Sequence, residues 1–188
     1  MAIKTFTTGE VLTAADTNTY LANSGLVYVG TVNYTNAATV NVDSVFTSTY
    51  THYRVVGMHI PSGSLGNFYM KLRSGGADQS GANYQYTAAR LYNTNLQDAS
   101  GSGATFMYFS NGGVISNSYA FTMDIFDPKG NTQTLVTNDA SNFESAVAAV
   151  RWWGSGGYKA NYSADGFVIY PAAGTWTGSL AVYGYRKA

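Results

Sequence analysis

The stretch Leu65-Gly66-Asn67-Phe68-Tyr69-Met70-Lys71-Leu72-Arg73 decides the fold. Phe68, Met70 and Leu72 fall on one side of an extended chain and Asn67, Tyr69, Lys71 and Arg73 on the other, the period of two that a half-buried strand requires. The run from Tyr119 to Asp127 repeats the pattern: Tyr119, Phe121, Met123 and Ile125 oppose Ala120, Thr122, Asp124 and Phe126. Asp127-Pro128-Lys129-Gly130 then closes it as a turn.

Working outward, similar runs occupy residues 26–34, 39–42, 52–60, 84–92, 105–109, 132–137, 143–153, 165–170 and 176–185. They are rich in Tyr, Val, Thr and Ile and are punctuated by Gly, Asn, Ser and Asp, which is strand composition with turn punctuation. No helical pattern is long enough to supply parallel crossovers. The chain is therefore expected to be all-β, an antiparallel jelly-roll-like β-sandwich or a related Greek key, with a closed barrel as the alternative. Phe68, Met70, Leu72, Phe121, Met123, Ile125, Leu180 and Val182 are its expected core. Residues 146–152 could pass for a helix, but their β-branched members and the Trp152-Trp153 pair favour a strand ending in a Gly154-Ser155-Gly156-Gly157 loop. Segments 74–83 and 93–104 read as the most Gly-, Ser- and Asn-rich loops.

One short helix is expected at the front. Thr13-Ala14-Ala15-Asp16 has capping-box spacing, with Asp in place of the commoner Glu, and the helix would run to about Asn23, with Gly25 at its stop. Such a helix is too short to stand alone, so residues 1–24 must pack on the sandwich, a sister chain or another protein. The expected organisation is thus an N-terminal segment, 1–24, followed by a β-sandwich domain, 25–188.

The chain of 188 residues suits one domain. Ten basic residues balance ten acidic ones and only 11% of positions are charged, less than half the usual share of about 25%. A phosphate backbone or anionic lipid needs a clustered basic surface, so neither nucleic acid nor membrane is an expected partner. Solubility falls to 21 Thr, 17 Ser and 15 Asn, and zero net charge offers little self-repulsion, which suits a protein held inside an assembly. The absence of cysteine excludes disulfides, thiolate catalysis and Cys-ligated zinc. The first residues lack the apolar run of a signal peptide, and no stretch approaches the roughly 20 apolar residues of a membrane span. Synthesis as a soluble chain in the cytoplasm is the expectation.

No constellation of catalytic residues stands out. His52 and His59 are seven apart, which places them on opposite faces of a strand and argues against a shared metal unless Gly57 makes a bulge. Asp124 and Asp127 point opposite ways and do not form the facing carboxylates of a glycosidase. Neither a phosphate-cradling glycine loop nor a nucleophile elbow occurs. No enzyme, cofactor or metal site is therefore expected. The aromatics offer another chemistry: Tyr84 and Tyr86 follow one Gly/Asn loop, and Trp153 and Tyr158 flank another, so these four are candidates for stacking on a glycan. Core packing or a subunit interface is the plainer reading of the same residues.

The opening Phe6-Thr7-Thr8-Gly9-Glu10-Val11-Leu12-Thr13-Ala14-Ala15-Asp16-Thr17-Asn18-Thr19-Tyr20-Leu21 resembles the N-terminal segment of tailed-phage fibre and other virion-appendage proteins. Two further stretches are similar to the first and last strands of β-sandwich domains in the same proteins. One is Val45-Phe46-Thr47-Ser48-Thr49-Tyr50-Thr51-His52-Tyr53-Arg54-Val55-Val56. The other is Ala173-Gly174-Thr175-Trp176-Thr177-Gly178-Ser179-Leu180-Ala181-Val182-Tyr183-Gly184-Tyr185-Arg186. The resemblance implies a structural virion protein, a small tail fibre or tail-associated component that contacts the host surface. A capsid decoration or head-fibre protein is one alternative, and a free carbohydrate-binding module or lectin another. It also implies a homotrimer, other virion proteins and a host surface glycan as partners, and Phe6, Val11, Leu12, Tyr20 and Leu21 as the apolar groups of a virion anchor.

Overall fold

The computed structural model describes residues 7–11, 13–16, 25–63, 66–92, 95–111, 118–145 and 148–186. With strands numbered along the chain, the larger of two sheets has eight. They run in the order β1 (Leu26–Ala37), β13 (Trp176–Arg186), β3 (Tyr50–Pro61), β9 (Tyr119–Phe126), β10 (Thr132–Ser145), β11 (Ala148–Tyr162), β6 (Tyr84–Tyr92) and β7 (Asn95–Ala104). The smaller sheet places β2 (Val40–Val42) beside β12 (Gly166–Pro171) and β12 beside β4 (Asn67–Ser74). Both β5 (Ala77–Asp78) and β8 (Met107–Asn111) pair with β4. Every pairing is antiparallel. Two separate sheets with free edges make a sandwich, and the barrel alternative is dropped.

The alternation read in β4 and β9 is what holds the sheets together. Phe68, Met70 and Leu72 point across to Phe121, Met123 and Ile125, joined by Leu180 and Val182, and all eight are buried. The rings of Phe68 and Phe121 meet edge to face with centroids 5.4 Å apart. Burial of each such side chain contributes about 1.5–3 kcal/mol. Arg73 departs from the polar-out pattern: it is buried because Asp43, at 2.7 Å, and Asp78 pair with its guanidinium. Burial works against that charge, but the two carboxylates outweigh it and raise the Arg73 pKa.

Three expectations are corrected. The quartet Gly154-Ser155-Gly156-Gly157 is no loop; it lies in the middle of β11, paired with β10 on one side and β6 on the other. Glycine is needed there because the neighbouring backbone comes close: a Cβ on Gly154 would sit 2.6 Å from the Thr87 carbonyl oxygen. Segment 93–104 is largely strand, since Asn95–Ala104 forms β7 against β6. The run expected over 132–137 is longer, because β10 continues to Ser145 and so takes in the start of the run expected over 143–153.

The capping box forms as read. The Thr13 hydroxyl accepts from the Asp16 amide at 3.1 Å, and the Asp16 carboxylate accepts from the Thr13 amide at 3.2 Å. It opens α1 (Ala14–Asp16), and the expected continuation to Asn23 lies outside the described residues. No helix among the described residues is long and apolar enough to cross a membrane.

Candidate functional site

The outer face of the eight-stranded sheet carries the features that can engage a partner. Because its strands are in register, outward side chains line up in cross-strand rows. From β9 to β7, one row reads Phe126, Leu135, Gly157, Gln85 and Ser102, and the next reads Asp124, Thr137, Ser155, Thr87 and Ser100. Two rows further on, the same strands present Ala120, Ser141, Arg151, Leu91 and Leu96, with Met58 of β3 beside Ala120.

A groove of about 700 Å³ lies over the first pair of rows. Its centre is the gap at Gly157, with Leu135 on one side and Gln85 on the other, two strand spacings or roughly 10 Å apart. The gap is built into the sheet, since a Cβ at Gly157 would run into the Thr134 carbonyl oxygen. Hydroxyls of Thr137, Ser155 and Thr87 border one end of the groove and the side chains of Gln133 and Lys159 the other. The Gln85 amide donates to the Ser102 hydroxyl at 3.3 Å. Among the described residues lining the groove, Lys159 is the one charged group.

The other end of the face is richer in exposed apolar side chains, with Arg151 among them. A second hollow of about 460 Å³ is walled by Met58, Leu91 and Phe143 over a floor of Ala120 and Ser141. Met58 is 51% and Phe143 54% exposed, and Val56, Ile60, Leu96 and Trp153 extend the exposed apolar surface. The guanidinium of Arg151 lies over the Trp153 ring, 6.0 Å from its centroid, and donates to Asp139 at 3.1 Å.

The glycan candidates are divided by this geometry. Tyr84 and Tyr158 are corrected to core residues: both are buried, with rings 4.9 Å apart, so neither offers a face to a ligand. The Tyr84 hydroxyl accepts from the Leu72 amide at 2.8 Å and donates to the Gln79 carbonyl at 3.0 Å, and burial raises its pKa. Tyr86 shares the inward side and packs at 5.7 Å on Tyr108. Trp153 faces outward, two residues along β11 from Ser155. Of the anchor candidates, Val11 is exposed, while Phe6, Leu12, Tyr20 and Leu21 lie outside the described residues. His52 and His59 take opposite faces, as their spacing requires, and the β3 register runs past Gly57 without a bulge. Asp124 accepts from the Tyr185 hydroxyl at 2.7 Å, and Asp127 sits in its turn with φ of 52°.

The groove residues escaped the sequence reading for a physical reason. Gln85, Thr87, Ser102, Phe126, Leu135 and Ser155 come from five strands and share no local motif. Their one signal is parity: once Tyr84 faces in, Gln85 and Thr87 must face out.

No protein-family model matches the chain, and no curated protein matches it. Among solved structures, a crystal structure of Caenorhabditis elegans galectin LEC-6 is similar at 13% identity, covering 81% of this chain and 94% of that one, with a TM-score of 0.35.

Proposed function

We propose that this chain is a non-catalytic structural component of a tailed-phage virion, a small tail fibre or tail-associated protein that works as a homotrimer. The observation that carries the reading is the apolar end of the sheet face, where Met58, Leu91 and Phe143 stand about half exposed beside Trp153. Exposed apolar side chains gathered at one end of a sheet on a chain with so little charge favour a surface that other chains cover. Sister copies are the occupants that fit a zero net charge, because identical neutral chains do not repel one another. The resemblance of residues 6–21 to virion-appendage segments supports a virion location, with synthesis in the host cytoplasm.

Immunogold labelling of virions with antibody to the sandwich tests the proposal. Label at the tail is the expected result. Label on the head would replace it with the decoration or head-fibre reading, and particles without label would reject a virion role.

A further inference from the structure

We infer that the groove at Gly157 is a binding site for an uncharged oligosaccharide. The inference goes beyond the assembly reading and does not depend on it, because it concerns the opposite end of the sheet face.

The argument starts from what the groove offers a ligand. Gln85 and Gln133 carry amides that both donate and accept, and Thr87, Thr137 and Ser155 carry hydroxyls that do the same. The lining is mostly apolar and these groups stand at its rim, which suits a ligand with an apolar face and hydroxyls at its edge, the character of a pyranose ring. Phosphate and carboxylate ligands are matched by clustered cations, and Lys159 alone does not form such a cluster. An extended peptide adding to the sheet would pair at the free edge of β7, to one side of the groove, whereas β10 and β11 under its centre are paired on both sides and offer no backbone to a ligand.

The floor adds a second requirement. Phe126 and Leu135 lie side by side at one wall, and Leu135 is 60% exposed. The carbon–hydrogen face of a pyranose ring covers such a surface while its equatorial hydroxyls reach the rim. Gly157 makes the room: it sets the ring between Leu135 and the Gln85 amide, without a side chain that would have to move. The volume of about 700 Å³ has room for more than one sugar ring, so the site suits an oligosaccharide.

The test is a glycan array of uncharged oligosaccharides probed with the full chain, followed by calorimetric titration of the best ligand. Two variants accompany the wild type. Ser155→Trp fills the groove from an exposed position, and Gln85→Ala removes one amide. Binding by the wild type, abolished in Ser155→Trp and weakened about tenfold in Gln85→Ala, the usual effect of one lost hydrogen bond, is the expected result. Leu26→Ala, exposed on β1 at the far edge of the same sheet, should bind as the wild type does. No binding of any uncharged glycan at millimolar concentration would overturn the inference, as would binding indifferent to both groove variants. Should Ser155→Trp fail to fold, Gln85→Ala and Thr87→Val decide the same question. Immunogold label on virions with a negative array would leave the assembly reading standing and remove this one.

Discussion

The imidazole of His59 lies flat on the ring of Tyr119, with centroids 4.6 Å apart and planes 2° from parallel. Trp176 closes over it at 4.3 Å, and neither ring nitrogen is hydrogen-bonded to a described residue. The position is a core aromatic slot filled by a residue that can ionise. Burial drives its pKa from 6.5 down to about 3, so His59 is neutral in the folded chain across the physiological range.

Stability should therefore depend on pH. Between about pH 3 and 6.5 the unfolded chain binds a proton at His59 that the folded chain refuses, so the contribution is intact above pH 6.5 and is lost as pH falls toward 3. The limiting slope is about 1.4 kcal/mol per pH unit for one proton. Urea unfolding at pH 7.5 and pH 5 should show a clear drop in midpoint at the lower pH, and His59→Phe should remove most of it. Equal midpoints in the wild type would contradict the burial of a neutral imidazole.

Two glycines separate packing from backbone effects. A Cβ at Gly57 would lie 2.5 Å from Cε1 of Phe121 and 3.2 Å from Cβ of Leu180, inside the core, whereas one at Gly30 meets nothing within 4 Å. Gly57→Ala is expected to cost about 1–3 kcal/mol through overpacking. Gly30→Ala, at an open site on the β1 edge strand, should be neutral or stabilise by up to about 1 kcal/mol. Thermal melting of both variants checks the contrast, and a Gly57→Ala protein as stable as the wild type would show that Phe121 can move aside.

The contrast between these sites also explains what the sequence could and could not reveal. Phe68, Met70, Leu72 and the β9 residues were readable because alternation is local and their burial follows from it. Gly154 to Gly157 were misread because four small residues in a row look like a turn unless their neighbours are known. What selects Gly154 and Gly157 is the approach of the Thr87 carbonyl from β6 and of the Thr134 carbonyl from β10, contacts that exist only once the strands have paired. The same holds for β7, where Gly101 is small because the Tyr86 ring of β6 occupies the place of its side chain, 2.6 Å from where a Cβ would stand. The groove inherits this difficulty, since its shape depends on Gly157 and its chemistry on four other strands.

Self-association through the apolar end should be sensitive to polar substitution there. Leu91 and Met58 both face solvent, so Leu91→Ser and Met58→Ser should leave the melting temperature nearly unchanged while removing buried apolar surface from an assembled interface. Mass photometry of the wild type is expected to give a trimer, and the double variant should shift toward monomer by at least tenfold in dissociation constant. A wild-type monomer at about 10 μM, where an interface of nanomolar strength is saturated, would reject the trimer.

The last prediction concerns residues 1–24. In the described part of this segment α1 buries no residue, Val11 is 78% exposed, and the Thr13–Asp16 capping bonds order the start of the helix. If residues 1–24 are an anchor, Phe6, Val11, Leu12, Tyr20 and Leu21 together would contribute several kcal/mol on burial against a neighbouring virion protein. Deletion of residues 1–24 should leave a soluble sandwich whose cooperative melting transition is shifted little, because β3, β4, β9 and β13 supply buried core residues such as Val55, Phe68, Met123 and Val182. The same deletion should abolish incorporation into particles, measured by the protein content of purified virions. Loss of cooperative melting would instead place those side chains in the core of their own chain, and normal incorporation of the shortened protein would move the attachment point to the sheet face.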